Sequence, residues 1–291
     1  MIITPVQQSF WDWRAAGNFI FGGSGSGLIL WAAAGYALGL GGPLPLLVGA
    51  AMIALGLTLV WFEIGRPERF INVLRNPRTS WMSREAWVAL ALLPLCFGAL
   101  LPATWFIAAP LMLLAALFVY CQGRILTAST GVALWRRRKT TWITVITGLS
   151  EGLALFFILA QFTSDLPTDT GMVLQSGMLI MIVFRALGWR IWYAALAGSA
   201  PKDAHTQLSR FEKPFLLAGH VLPLVLIAAA WMIAPLAALF HVITGVAVVF
   251  MGWRLKYLLI TRAGHLQGFA IRHTPARGGG LAGPGVKPGW N

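Results

Sequence analysis

The sequence predicts an all-α, polytopic membrane protein with eight transmembrane helices, arranged as two packed four-helix bundles. Its 291 residues are 58% hydrophobic and only 11% charged, with a mean hydropathy of +0.74. A soluble core does not need so large an apolar fraction, whereas a multi-pass membrane protein does. The apolar runs are continuous rather than alternating, so helices rather than a β-barrel should satisfy the backbone in lipid.

Eight apolar runs are long enough to cross a bilayer, because a helix needs about 20 residues to span ~30 Å of hydrocarbon. They lie at residues 18–39, 43–63, 86–104, 105–125, 142–163, 171–193, 214–234 and 236–260. The even number and the short turns on one side indicate antiparallel neighbours. We assign residues 1–273 to this membrane domain and residues 274–291 to a C-terminal tail rich in glycine and proline.

The twenty-two Lys and Arg residues are distributed unevenly between the two sides of the predicted bundle. The connections after the first, third, fifth and seventh runs contain none, and we place all twenty-two on the opposite side, together with both termini. The positive-inside rule makes that side cytoplasmic. A docking face for an acidic partner would also collect positive charge, so both causes remain open. The net charge of +13 therefore does not require a nucleic-acid partner.

The segment 61–87 holds three of the nine acidic residues and five of the basic ones. Glu63 ends the second run and Glu85 begins the third, so antiparallel helices would bring the two carboxylates to the same face, close together. Partial burial favours a neutral carboxyl group, which suits proton exchange beside a redox ligand. The alternative is helix capping, in which Ser83 caps the third helix and Glu85 benefits from the helix dipole.

Other polar and aromatic residues should lie at the same membrane level as these carboxylates. Amide and hydroxyl groups can donate to a carbonyl oxygen of a bound ring, while indole rings can cover it. The candidates for such a ring-binding site are Asn18, Tyr120, Arg84, Gln122, Trp81 and Arg14. The alternative is that the aromatic residues are ordinary interfacial side chains and the arginines are topology signals.

Three ionisable residues fall inside predicted spans, where they are costly and are functional candidates by default. Glu151 and Arg185 lie at similar depths, so we expect an ion pair between them, with a structural role or a secondary proton path both open. His220 is either a core residue or a member of that path. It differs in depth from His241 by on the order of 10 Å, which excludes a haem held between the two.

Two further features indicate structural rather than functional roles. Cys96 and Cys121 lack the paired spacing of metal or iron–sulfur ligands, so we predict no metal centre in this chain. The glycine- and serine-rich stretch at residues 22–27 lies inside the first run, with no preceding strand, so it indicates close helix packing rather than a nucleotide loop.

Two stretches carry a family resemblance. They are Ile64-Gly65-Arg66-Pro67 after the second run and Ser80-Trp81-Met82-Ser83-Arg84-Glu85 before the third. With the eight runs and the glycine-rich first run, they resemble the haem-free membrane anchor subunits of complex iron–sulfur molybdoenzymes, including the DMSO reductase and polysulfide reductase anchors and NrfD-like proteins. The resemblance covers the first five runs best. More narrowly, the segment 11–19 is similar to the membrane subunit of phenylacetyl-CoA:acceptor oxidoreductases.

The resemblance implies a menaquinone or ubiquinone site near a face that docks a four-cluster ferredoxin-like iron–sulfur subunit, which serves a molybdopterin or tungstopterin catalytic subunit. It also implies the cytoplasmic membrane of a bacterium or archaeon. Glu85 matches the family's acidic residue that is needed for quinol binding, and Asn18 and Tyr120 fall near positions that contact quinone in relatives. The chain departs from the family at Glu63, where relatives often carry His or Asp.

We therefore expect a quinone-reactive membrane subunit without haem or iron–sulfur clusters of its own, in which Glu85 and Glu63 exchange protons. The substrate chemistry would reside in partner subunits docked on the long basic loops. Two alternatives stay open: a stand-alone transporter whose Glu151, Arg185 and His220 line a pathway, and a passive anchor that only tethers a catalytic dimer.

Overall fold

The computed structural model describes residues 2–3, 5–37, 42–100, 105–162, 168–196, 200–266 and 269–270. Eight long helices follow one another within these ranges. They are α1 (Trp13–Tyr36), α2 (Leu44–Trp61), α3 (Trp81–Gly98), α4 (Ala108–Ala128), α5 (Arg138–Ala160), α6 (Thr168–Ala194), α7 (Lys202–Met232) and α8 (Ala234–Arg262). Short 3-10 segments lie at Pro67–Arg75 and Trp105–Ile107, and two-residue strands form β1 (Ile2–Ile3) and β2 (Phe269–Ala270).

Seven of these helices are long and apolar enough to cross a membrane, so the chain is a multi-pass membrane protein. The exception is α3, whose N-terminal part contains Arg84 and Glu85. It begins five residues before the predicted third run, because Ser80 rather than Ser83 is its N-cap: the Ser80 hydroxyl accepts from the Ser83 backbone N–H at 3.3 Å. The alternative in which Ser83 caps this helix is therefore wrong.

The seventh run, predicted at residues 214–234, is also too short, since α7 already begins at Lys202. The first half of α7 is amphipathic. Its apolar residues recur at helical spacing and are buried: Ala204, Leu208, Phe211 and Phe215. A hydropathy profile shows this part of α7 as a polar connection. It is a helix whose apolar face packs against the bundle.

Helix α1 lies at the centre of the fold and packs against α2, α4 and α5, while α8 packs against α5 and α7. The approach of α1 to α5 is very close, because a β-carbon on Gly27 would overlap the carbonyl oxygen of Gly148, and one on Gly152 would overlap the backbone of Gly27. Small residues at helix crossings allow such backbone contact in membranes. The packing role predicted for the glycine-rich stretch is confirmed.

Three helices contain a π-helical turn, at Asn18–Gly22 in α1, Leu217–Val221 in α7 and Leu258–Arg262 in α8. In each turn a backbone carbonyl accepts a hydrogen bond from a side chain of another segment. The donors and acceptors are Gln122 to Asn18 at 2.9 Å, Arg185 to Gly219 at 2.6 Å, and Gln8 to Ile260 at 2.9 Å. Such turns are often found at functional sites, and here they mark where polar side chains enter the bundle.

The two ends of the described chain lie together. β1 pairs with β2 in antiparallel register, and the backbone N–H of Gln8 donates to the carbonyl of Gly264 at 2.8 Å. The Gln8 side chain is buried and accepts from two backbone N–H groups of its own segment, those of Phe10 and Trp11. The predicted glycine- and proline-rich tail at residues 274–291 lies outside the described residues.

Candidate functional site

Three polar side chains, from Asn18, Glu85 and Gln122, meet between α1, α3 and α4. Glu85 and Asn18 are each 5% exposed, and Gln122 is fully buried. The Asn18 amide donates to the Glu85 carboxylate at 3.5 Å, and the Gln122 side chain lies beside that carboxylate. Gln122 further donates to the Asn18 carbonyl in the π turn. The structure thus brings together one carboxylate and two amides predicted from the sequence.

Glycines make room for this trio. A β-carbon on Gly22 would overlap the Gln122 amide, and one on Gly56 would lie 3.1 Å from the Asn18 amide oxygen. The Asn18 Oδ1 and Gln122 Oε1 atoms are buried and accept no hydrogen bond from the described part of the chain. Together, the three side chains offer donors and unused acceptors at one point, which suits a ligand bearing carbonyl or hydroxyl groups.

An aromatic and cationic patch borders the trio at the start of α3. Two guanidinium groups lie over the Trp81 ring, with Arg84 at 4.0 Å and Arg124 at 4.4 Å from its centroid. Tyr120 packs edge-on against Trp81, and its hydroxyl accepts from Arg124 at 3.0 Å. This arrangement fixes the indole, because both cations are attracted to its ring electrons.

Arg84, which the sequence suggests as a ligand contact, also binds the preceding loop. Its guanidinium donates to the carbonyls of Pro77 and Arg78, both at 2.7 Å, and so holds the end of the preceding loop against α3. Trp87 does the same through its indole N–H, which donates to the Leu74 carbonyl at 3.0 Å. Arg84 therefore positions the loop around Glu85.

Glu63 lies apart from Glu85, in the turn after α2 and near Asp12 and Arg14. Burial raises the pKa of the Glu63 carboxyl, and the charge of Asp12 adds to that rise, while Arg14 opposes it. The Arg14 hydrogen bond lowers the pKa of the Asp12 carboxyl, and Arg14 also donates to the Phe62 carbonyl at 2.8 Å. The two glutamates have different partners, so the shared carboxylate site expected from the sequence does not form.

A Glu63→Gln substitution should remove part of the pH dependence of stability. Because the folded chain holds the Glu63 proton more tightly than an ordinary carboxyl of pKa 4.5, stability should fall as pH rises through the interval above that value. The variant has no ionisable group at this position, so this part of the pH dependence is absent. We expect its melting temperature in detergent to match the wild type at acidic pH and to equal or exceed it at pH 7.

The matched control is Glu68→Gln, at an exposed residue of the 3-10 segment, which should leave the profile unchanged. A Glu63→Gln variant that melts below the wild type at pH 7 would show that attraction to Arg14 outweighs the burial of the carboxylate.

A second polar cluster lies deeper in the bundle, between α1, α5 and α8. Glu151, which is fully buried, forms an ion pair of 2.5 Å with Lys256, which is 2% exposed. The Ser24 hydroxyl donates to the same carboxylate oxygen at 2.6 Å and accepts from the Trp253 indole at 2.9 Å. The other oxygen, Oε1, is buried without a hydrogen-bond partner among the described residues.

The expected ion pair between Glu151 and Arg185 is therefore wrong. Arg185 instead donates to the His220 ring at 3.2 Å and to the carbonyls of Val248 and Gly219. Because Arg185 donates to Nε2, the His220 proton must be on Nδ1, which lies 3.0 Å from the Phe215 carbonyl. His220 is thus a neutral acceptor that holds Arg185, which favours the structural interpretation over the relay.

Lys256 is the main functional candidate that the sequence did not indicate. It lies six residues before the end of α8, where lysines usually extend their charge to the membrane surface, and the sequence assigns it to the basic residues of the cytoplasmic face. Among the described Lys and Arg residues, Lys256 and Arg185 are the two whose side chains are buried. The available signal was its four-residue spacing from Gly252, which places both on one helix face.

The described residues contain no group of three His, Cys, Asp or Glu side chains that could hold a metal ion. Cys96 and Cys121 are both buried and separate. The polar trio has the donors and acceptors for an organic ligand, and the adjacent Trp81 and Tyr120 rings provide apolar surface beside it.

Comparison with known protein families found no matching family model, and comparison with curated proteins found no matching sequence.

Proposed function

We propose that this chain is a quinone- or quinol-binding membrane anchor subunit of a multi-subunit oxidoreductase. Its helices form two four-helix groups with eight crossings, and its basic loops and both termini face the cytoplasm of a bacterium or archaeon. There it passes electrons between a ferredoxin-like iron–sulfur partner, associated with a molybdenum or tungsten catalytic subunit, and a menaquinone or ubiquinone. The observation that carries this proposal is the buried Glu85 carboxyl bracketed by the Asn18 and Gln122 amides.

Quinone chemistry needs a proton acceptor beside the ring oxygen and hydrogen-bond donors that orient it. Glu85 supplies the acceptor and the two amides supply donors. Among the described residues Glu85 has amide neighbours and no ion-pair partner, so it can change its protonation state without breaking an ion pair. Glu63, beside Asp12 and Arg14 at the start of α1, exchanges protons with the aqueous face.

Quinone binding tests the proposal directly. The purified full-length chain in lipid nanodiscs should quench its tryptophan fluorescence saturably with a short-chain ubiquinone or a short-chain menaquinone. With the corresponding quinol, whose hydroxyl donates to the Glu85 carboxylate, Glu85→Gln removes a charge-assisted hydrogen bond worth about 1.5–3 kcal/mol, which corresponds to roughly 10- to 100-fold weaker quinol binding. Glu68→Gln, at an exposed residue, should bind as the wild type does.

Two results would contradict the proposal: an absence of saturable binding in the wild type, and binding that Glu85→Gln leaves unchanged. Without quinone binding, copurified iron–sulfur and molybdenum or tungsten proteins would identify a passive anchor. If neither quinone nor partner proteins are found, the stand-alone transporter becomes the better interpretation. The buried charges of Glu151, Lys256 and Arg185 favour that second candidate.

A further inference from the structure

Five residues form a row along the buried face of helix α8. Polar groups lie along this row from one end to the other. Lys256, Gly252, Val248 and Thr244 recur every four residues, and His241 follows three residues further on. This spacing keeps them on one side of the helix, and all five are buried. The rise from Lys256 to His241 is about 22 Å, most of the hydrocarbon thickness of ~30 Å.

At the end of the row near the chain termini, polar groups of α5 face Lys256 and Gly252. Glu151 pairs with Lys256, and a β-carbon on Gly252 would overlap the unpaired Glu151 oxygen. Thr147 lies one turn before Glu151 on α5, and its hydroxyl is also buried without a partner among the described residues. Because Gly252 has no side chain, the unpaired oxygen of the Glu151 carboxylate is not covered on the side that faces the row.

At the opposite end, His241 lies between two glutamines. Its ring nitrogens lie 3.2 Å from the Gln161 amide oxygen and 3.1 Å from the Gln175 amide nitrogen. Because Gln175 donates from that nitrogen, the His241 proton belongs on the nitrogen facing Gln161. The ring is a neutral proton carrier in a polar setting, one turn from the buried Thr244 hydroxyl.

The row also connects to the Glu85 site. A β-carbon on Gly23 would meet both the Lys256 ammonium and the Gln122 amide oxygen, so these two groups face each other across a residue without a side chain. Seven buried side-chain atoms in the described residues lack a hydrogen-bond partner, and five of them follow this route: Asn18 Oδ1, Gln122 Oε1, Thr147 Oγ1, Glu151 Oε1 and Thr244 Oγ1. Water is the usual partner of such atoms in protein interiors.

Arg185 interrupts the row at its middle. Its Nη1 donates to the Val248 carbonyl at 2.8 Å, and its bonds to His220 and Gly219 fix the guanidinium in place. A guanidinium stays protonated in proteins and cannot pass a proton on. A fixed positive charge in a narrow polar path is an electrostatic barrier to protons. It separates Glu151 and Lys256 from Thr244 and His241.

We propose that this row forms two proton half-channels that meet at Arg185. A proton from the Glu85 side moves onto the Glu151 carboxylate, which becomes a carboxylic acid and releases Lys256 from the ion pair. The half-channel of Thr244 and His241 exchanges protons with the opposite face. Arg185 keeps the halves separate at rest, so the chain holds protons inside the membrane without leaking them. This activity is additional to quinone binding.

Proton flux into proteoliposomes tests the proposal. Vesicles that hold the full-length chain and trapped pyranine are given a potassium diffusion potential with valinomycin, and the acidification rate is measured. Wild-type vesicles should be nearly as tight as protein-free ones. Arg185→Gln, which removes the charge but keeps amide donors, should raise the flux at least tenfold, whereas Arg185→Lys, which keeps a charge, should not.

The added flux should disappear when Arg185→Gln is combined with His241→Leu, and also when it is combined with the neutral pair Glu151→Gln and Lys256→Met, because each combination blocks one half. Arg190→Gln, at the exposed arginine of the same helix, is the matched control and should stay tight. The proposal is overturned if Arg185→Gln vesicles are as tight as the wild type, or if their leak survives either combination.

A second measurement does not depend on an Arg185 variant that folds. Thr244→Cys should react with a membrane-impermeant thiol reagent added on the side opposite the chain termini, at a rate at least tenfold above the background of the buried Cys96 and Cys121. Lack of reaction would overturn the half-channel on that side. The same preparations are assayed for quinone binding, so a failure of the half-channels and a failure of the quinone site are observed separately.

Discussion

Replacing Lys256 with methionine should destabilise the protein by about 3–5 kcal/mol, because removal of one partner leaves a buried charge uncompensated. Glu151 would lose the ion pair of 2.5 Å, and Ser24 would become its main hydrogen-bond donor. Neither side chain is exposed at the surface of the native fold, since Glu151 is fully buried and Lys256 nearly so. The measurement is the free energy of unfolding in mixed detergent micelles, followed by circular dichroism.

The double variant Glu151→Gln with Lys256→Met is the decisive comparison. It removes both charges and leaves the Ser24 hydroxyl a neutral acceptor, so most of the lost stability should return. If the single and double variants are equally unstable, the pair contributes through the packing of its side chains rather than through its charges. A control at the exposed Lys213, Lys213→Met, should change stability by less than about 0.5 kcal/mol.

The Gly152→Ala substitution should be comparably severe, although it adds a single methyl group. The new β-carbon would overlap the backbone of Gly27 and Leu28, and backbone cannot rotate away as a side chain can. Helices α1 and α5 would have to separate along their closest contact, where overpacking typically costs 1–3 kcal/mol and here should reach at least about 3 kcal/mol. Unfolding of the purified variant in detergent measures this loss.

Gly171→Ala provides the matched control, because a β-carbon there would meet nothing within 4 Å. Alanine is the better helix former by about 1 kcal/mol, so this variant should be unchanged or slightly more stable. Similar losses in the two variants would mean that α1 and α5 can move apart at little cost.

The sequence predicted the helical membrane fold because hydropathy depends on composition over about 20 residues, and seven of the eight expected crossings meet that test. It predicted α3 and α7 less well. Their polar N-terminal turns lower the local hydropathy, although Glu85 in α3 and Phe211 in α7 are buried. Burial of a polar turn against neighbouring helices is a tertiary effect that no single-segment pattern contains.

The functional residues show the same division: polar residues at the membrane edge could be predicted from the sequence, whereas pairings between helices could not. Asn18, Glu85 and Gln122 were singled out as polar residues at the membrane edge, and the fold brings them together. The partner of Glu151 could not be chosen in this way. Arg185 and Lys256 are both cations near its depth, and the choice depends on how α8 is rotated about its axis. A glycine at position 252 settles that rotation by letting the carboxylate approach.

The contact between the chain's two ends sets an order on biogenesis. Gln8 is held by Ile260, 252 positions later in the chain, and α1 at the centre of the fold lies beside segments made much later. A ribosome adds roughly 5–20 residues per second, so the first helix waits in the membrane for many seconds before its last neighbours arrive. During that interval the glycine-lined surface of α1 stays uncovered until α5 has been made.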